Sequence, residues 1–355
     1  MLCIAAFIVL ALMSVFVGIL AIFRRDIGAK YWGTFKKAWG CVGKKVTLQK
    51  CETNFKEDIK NSLLSRFVVR RPKLVKPLSV GIEILAVLVV LITVWSLVEA
   101  AKAGLSLWVF GTCNVSRPSA CLITDEVCAI DNPAPQNFAE GVGRWFTEWG
   151  EIFTGIPDRV RRWDARLYVP QNATYWSYEA DRPTALVIFD VGCINCLASF
   201  RNKQRGGFFE RYNVTHIPYV ILNPTDQEDR FPNSRLVSSY IVALRLSGIV
   251  SADGNPVPLD WRVIEQMFTE QDENGVNYQE AIKRLEPHEV KILLESWLFT
   301  FGLAPEEVSR IRRAALGEEV ADTLLIYRDI VENRINAKGI PTTIFGGRRH
   351  MGLYD

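Results

Sequence analysis

Among eight cysteines, one pair is separated by only two residues, Cys193-Ile194-Asn195-Cys196. The run ahead of it, Thr184 to Asp190 (TALVIFD), is short, apolar and rich in strand formers, while the stretch behind it, LASFRNKQ, reads as helix to about Gly206. A pair that leaves a strand and opens a helix puts its first sulfur at the helix N-terminus, where unpaired backbone N–H groups and the macrodipole favour thiolate over thiol. Cys193 is therefore the expected nucleophile. Cys196, one turn further in on the same side, is less exposed and placed to attack a mixed disulfide formed at Cys193, which is the arrangement thiol–disulfide exchange requires. Two other readings of the pair stay open. One is half of a zinc site, against which the three histidines, His216, His288 and His350, stand isolated and without ligand spacing. The other is a static structural disulfide, which the helix-opening position disfavours. No metal and no cofactor are expected.

Cys113, Cys121 and Cys128 lie in a proline-punctuated stretch, Gly111 to Pro135, that reads as loop. Three thiols make one pair and one spare. One structural disulfide with an inert spare thiol is the expectation; an intermolecular bond, or a shuttle partner for Cys193, is the alternative. Hydrolase triads and phosphate-cradling glycine loops find no support, since Gly346-Gly347 follows a strand with no helix behind it.

Strand, then Gly192-Cys-Ile-Asn-Cys196 at a helix start, then a long helical stretch, then Gly339-Ile-Pro-Thr-Thr-Ile-Phe-Gly-Gly347, resembles the thioredoxin superfamily, and the size of the helical insertion makes it most similar to DsbA-type disulfide oxidoreductases. The resemblance covers residues 175 to 355. It implies an α/β, thioredoxin-like fold in which Pro341 is cis and lies against the cysteine pair, with Ile340, Pro341 and Thr342 receiving the substrate chain. It also implies thiol–disulfide exchange with cysteine-containing protein substrates and a membrane or soluble redox partner; oxidation is the expected direction because the expected compartment is oxidising. A second Ile-Pro, in His216-Ile217-Pro218, follows Cys196 by 22 residues and is assigned instead to the next strand, Val214 to Asn223. Three features depart from the family. The position six residues before the first cysteine, often a buried acid, is Val187, with Asp190 out of register. The dipeptide Ile194-Asn195 matches neither Gly-Pro nor Pro-His. The sequence given ends at Asp355, where the family usually continues into a helix over one sheet face. The aromatic helix from Asn137, or the segment Pro157 to Leu167, is expected to cover that face, because apolar surface left wet forfeits about 25 cal/mol per Å².

The chain that must position these residues has 355 residues, 49% apolar and 23% charged, which argues against disorder, collagen-like repeats and a nucleic-acid tail; no nucleic-acid partner is expected. Leu2 to Phe23 carries no charge and, at about 1.5 Å per residue, is long enough to cross a hydrocarbon core about 30 Å thick. A second apolar run, Ile84 to Val98, reaches spanning length when extended toward Phe110. Arg24 to Lys76 holds 15 Lys or Arg against 4 Asp or Glu, while the rest of the chain holds 27 against 35. Arg24 and Arg25 follow the first apolar stretch and no small-residue cleavage site appears, so that stretch reads as an uncleaved anchor. The basic segment between the spans stays cytoplasmic by the positive-inside tendency, which puts both chain ends outside.

The expected organisation is a membrane anchor over 1–110, with transmembrane helices at about 2–23 and 80–105 around a basic cytoplasmic loop 24–78. A cysteine-containing loop and amphipathic linker follow at 111–170, the latter with Asn137 as N-cap and Glu140 three positions on. The thioredoxin-like domain is 171–355, its helical insertion at about 234–336. The expected location is the cell membrane, multi-pass, with lipid bilayer as partner and the C-terminal domain periplasmic or extracellular. The rival reading is a non-catalytic membrane assembly or adaptor subunit whose thioredoxin-like domain only binds partners.

Overall fold

The computed structural model describes residues 75–121, 127–249 and 253–353. The first expected span, nearly all of the basic loop, and Cys3, Cys41 and Cys51 lie outside the described residues. The described residues fall into two units, divided after Lys102.

Helix α1 is a single 36-residue element, Val75–Phe110. Pro77 falls in its first turn, where no intrahelical N–H bond is lost. The part long and apolar enough to cross a membrane is Leu91–Phe110, further along the chain than the Ile84 to Val98 run on which the sequence reading centred. Strand β1, Cys128–Ala129, follows. Helix α2, Phe138–Val160, starts at Asn137, whose side chain accepts from Glu140 N–H at 2.8 Å while Glu140 accepts from Gln136 N–H at 2.7 Å. Its buried Ile152 packs with Val109, Phe110 and Val115, and Gly155 lies so close to Val109 and Phe110 that a Cβ would collide with them.

Strand β2, Thr184–Phe189, leads into helix α3, Ile194–Arg205, then the single turn α4, Phe208–Arg211, and strand β3, Asn213–Pro218, which pairs parallel with β2. Pro218 thus belongs to a strand. Six helices follow: α5 Ser234–Ser247, α6 Leu259–Thr269, α7 Tyr278–Ile282, α8 Pro287–Thr300, α9 Pro305–Ala315 and α10 Glu318–Asp329. A π turn at Ile330–Arg334 closes this insertion. The chain returns through β4 Gly339–Ile340, β5 Thr342–Phe345 and β6 Arg348–Met351. The main sheet runs β3-β2-β5-β6, with β5 antiparallel to both neighbours, and β4 pairs separately with β1.

Continuous apolar strands such as β2 need cover on both faces. The core is one cluster that includes Ile188, Phe200, Tyr240, Trp261 and Ile344. Trp163, Ala165 and Tyr168 belong to that cluster, whereas the Ile152 face of α2 does not. Of the two candidates for covering the sheet, the segment after α2 does so, held by Trp163 N–H donating to Gly347 O at 2.9 Å.

Candidate functional site

Asp190 ends β2 and organises the turn into α3. Its Oδ1 accepts from Gly192 N–H at 2.8 Å and from Ser234 Oγ–H at 2.5 Å, and its Oδ2 accepts from Ile221 N–H at 2.7 Å. One carboxylate thereby joins the end of β2, the chain beyond β3 and the start of α5. Burial pushes this carboxyl up to about 6 against the pull of those three donors. Gln279 on α7 clamps the same turn, its Nε2 donating to Val191 O at 2.8 Å and Cys193 O at 2.9 Å. Gly192 is required by space: a Cβ there would overlap the Phe231 side chain.

Cys193 is the N-cap of α3 and fully buried, and its Sγ lies 3.7 Å from the carbonyl oxygen of Ile340. The Ile340–Pro341 peptide bond is cis. Pro341 lines a small closed cavity with Cys196, Lys203 and Phe268. Thr342 stands differently: it pairs with Ile188 in the main sheet and its hydroxyl donates to Gly339 O at 2.6 Å, so its side chain closes the β4–β5 turn from within. Of the three residues expected to receive a substrate chain, Ile340 and Pro341 are beside the cysteines and Thr342 supports them.

The loop cysteines form one pair and one spare, as the arithmetic expects, but the spare is bonded to Cys193. Cys113 bonds Cys121, and Cys128 bonds Cys193 across 65 residues with Cα atoms 6.1 Å apart, leaving Cys196 a buried thiol. The spare cysteine of the loop is not inert, then: it holds the sulfur at the tip of α3. Sequence leaves such a pairing undetermined, because connectivity is set by the fold and not by spacing.

Cys196 accepts from Asp190 N–H at 3.4 Å. Burial pushes its thiol well above the ordinary range; that hydrogen bond and the nearby Lys203 charge pull it down, while the Asp190 charge adds to the rise. Lys203, itself buried, is lowered to about 8 by loss of solvent and hydrogen-bonds Ser199. The sequence reading missed Lys203, although Cys196, Ser199 and Lys203 follow at steps of three and four along one face of α3. Asp190, set aside as out of register, is the buried acid of the site; Val187 is an ordinary strand residue paired with His216 and Thr343.

His216 is not isolated. Its Nε2–H donates to Asp260 at 3.0 Å, and Nδ1 accepts from Arg245 at 2.8 Å, all three side chains being buried. Among the described residues, no group of three or more His, Cys, Asp or Glu is arranged to hold a metal ion.

No family model and no curated protein matches the chain. Solved structures similar to it include a thioredoxin-like oxidoreductase from Silicibacter pomeroyi, 16% identical with a TM-score of 0.34 over 53% of this chain and 88% of that one. MdbA, a thiol-disulfide oxidoreductase from Corynebacterium diphtheriae, is 15% identical, TM-score 0.32, over 48% and 78% respectively. The oxidoreductase NmDsbA1 from N. meningitidis is 16% identical, TM-score 0.30, over 52% and 84%.

Proposed function

We propose that this chain is a membrane-anchored thiol–disulfide oxidoreductase that exchanges disulfides with cysteine-containing proteins on the non-cytosolic side, as an oxidant. One observation carries the reading: Cys193, at the first turn of α3 and against the cis Ile340–Pro341 bond, is already joined to a cysteine from a distant segment, while the thiol of Cys196 waits one turn behind it. In the oxidising half-cycle a target thiolate attacks Cys193 Sγ of a Cys193–Cys196 disulfide and Cys196 leaves as thiolate. A second target thiolate then attacks the target sulfur of the mixed disulfide, and Cys193 leaves. The target has lost two electrons and the pair has gained them; a redox partner restores the pair. The disulfides 113–121 and 128–193 support an oxidising compartment, since such bonds persist outside the cytosol. The apolar stretch of α1 supports attachment to a bilayer.

The test is oxidation of a dithiol peptide by the purified full chain, with loss in Cys193→Ser and trapping of the target on Cys193 in the double variant Cys128→Ser/Cys196→Ser. The reduction potential of the Cys193/Cys196 couple then fixes direction, about 30 mV corresponding to 1.4 kcal/mol. A second reading, a non-catalytic assembly or adaptor subunit, draws on the complete burial of Cys193 in its bond to Cys128. It requires that the chain neither oxidise nor reduce the peptide and that Cys128→Ser/Cys196→Ser trap nothing.

A further inference from the structure

We infer that Cys128 is a third redox cysteine of this site, and that residues 127–130 form a resident occupant of the edge along which a target chain would bind. The inference rests on the oxidoreductase reading and deepens it. Cys128 stands opposite Ile340 and Ala129 opposite Gly339 in an antiparallel ladder, which Ile130 N–H extends by donating to Lys338 O at 3.1 Å. Among the described residues, β1 is the strand that β4 pairs with. With residues 127–130 lifted away, β4 presents unpaired backbone groups beside Cys193, and an extended chain adding to such an edge is the ordinary way they are satisfied. A target delivering its sulfur to Cys193 would run where β1 now runs, because the Ile340 carbonyl and the Cys193 sulfur are neighbours.

The site is built for this approach. A Cβ on Gly339 would overlap Cγ1 of Val127, so the strand next to the cis proline lacks a side chain where the incoming chain lies over it. Arg230 donates to Ala129 O at 2.8 Å and lies 3.7 Å from Asp131, holding the segment from its outer side. What separates this linkage from a static bridge is the thiol of Cys196, placed a single helical turn from one of the bonded sulfurs, where it can act as the attacking group.

The exchange balances without an outside oxidant. Cys196 as thiolate attacks Cys193 Sγ; the Cys193–Cys196 bond forms, the Cys128–Cys193 bond breaks, and the electron pair leaves on Cys128 Sγ. The proton given up by Cys196 is matched by one taken up at Cys128. One disulfide is consumed and one formed. The chain therefore cycles between a parked state, with 128–193 closed and the edge occupied, and an open state, with 193–196 closed and the edge free for a target.

The test maps linkages by acid quench, alkylation and mass spectrometry of the full chain in detergent across a glutathione titration. Wild type is expected to populate both 128–193 and 193–196 and to interconvert them; Cys196→Ser collects 128–193 alone, and Cys128→Ser collects 193–196 alone. Because a site open for only a fraction of the time reacts at that fraction of its intrinsic rate, Cys128→Ser oxidises a dithiol peptide about tenfold faster if about nine-tenths of wild type is parked. Arg230→Met, which removes the donor to Ala129 O with every cysteine in place, moves wild type toward 193–196 and raises the rate in the same direction, and it carries the test if Cys128→Ser fails to fold. Wild type showing only 193–196, with a peptide rate equal to that of Cys128→Ser, overturns the inference and leaves the oxidoreductase reading standing. A 128–193 bond that never exchanges with Cys196, at potentials where 193–196 forms in Cys128→Ser, also overturns it. If Cys128→Ser in addition oxidises no peptide, the oxidoreductase reading falls as well.

Discussion

Lys203 follows Cys196 by seven residues on α3, so the two side chains share a helix face, and both are buried. A cation in that position favours the Cys196 thiolate, while the Asp190 carboxylate on the other side opposes it. Between pH 6 and pH 8 both groups are charged, since burial has raised the acid to about 6 and lowered the amine to about 8. Above that window Lys203 loses its proton and Cys196 loses its cation. In Lys203→Met the thiolate is unsupported throughout, and its fraction at neutral pH falls. The expected outcome is slower release of a preformed mixed disulfide from Cys193 in single-turnover experiments, with the pH–rate profile displaced to higher pH. A slower release with the profile unmoved would assign Lys203 to packing alone.

The turn between β2 and α3 tolerates no side chain at Gly192, because the Phe231 ring occupies the space. Gly192→Ala is expected to keep the fold but displace Cys193, and a displacement of about 1 Å at a reacting atom costs up to about a hundredfold in rate. The double variant Gly192→Ala/Phe231→Gly, which removes the Phe231 Cβ and ring that the new methyl would meet, should recover much of the peptide-oxidation rate. Under the neighbouring strand, His216 gives a stability prediction. Burial and the Arg245 charge lower it to about 4 from 6.5, so its folded form resists protonation and stability is gained as pH rises from 4 to 6.5. Asp190, raised from 3.8 to about 6, acts oppositely, with stability lost over nearly the same window. In His216→Gln, whose amide offers a donor to Asp260 and an acceptor to Arg245, the first contribution vanishes and the second remains. The unfolding free energy of wild type relative to this variant should therefore rise by about 2 to 3 kcal/mol between pH 4 and 6.5, at 1.36 kcal/mol per unit; urea titrations at the two pH values measure it, and an unchanged difference rejects the assignment.

These elements also mark what was readable in the sequence. The run Thr184 to Phe189, the helix closing at Gly206 and the strand after Pro341 were legible because each is written in consecutive residues. The Asp190 network and Gln279 were not, since Ile221 and Ser234 reach Asp190, and Gln279 reaches Val191 and Cys193, from 31 to 88 residues away. The bond from Cys128 to Cys193 was open to sequence only as one alternative for an odd thiol.

At the scale of the whole molecule, topology decides whether the thiol chemistry can operate. The segment Arg24 to Lys76, with 15 basic residues against 4 acidic, is short enough for the positive-inside tendency to act on it. If it stays cytoplasmic, Cys41 and Cys51 face a compartment that keeps thiols reduced, and the cysteines from Cys113 onward face one in which disulfides persist. The pairs 113–121 and 128–193 suit the second compartment and would be lost in the first. In intact cells, a membrane-impermeant maleimide should therefore label Cys113 and Cys121 after treatment with an impermeant reductant, and Cys41 and Cys51 only once the membrane is permeabilised. Buried Cys196 should stay unlabelled until the domain is denatured. Labelling of all four loop cysteines from the same side would mean that the basic segment and the C-terminal domain share a compartment, and the two-span arrangement would have to be abandoned even if the purified chain exchanged disulfides efficiently.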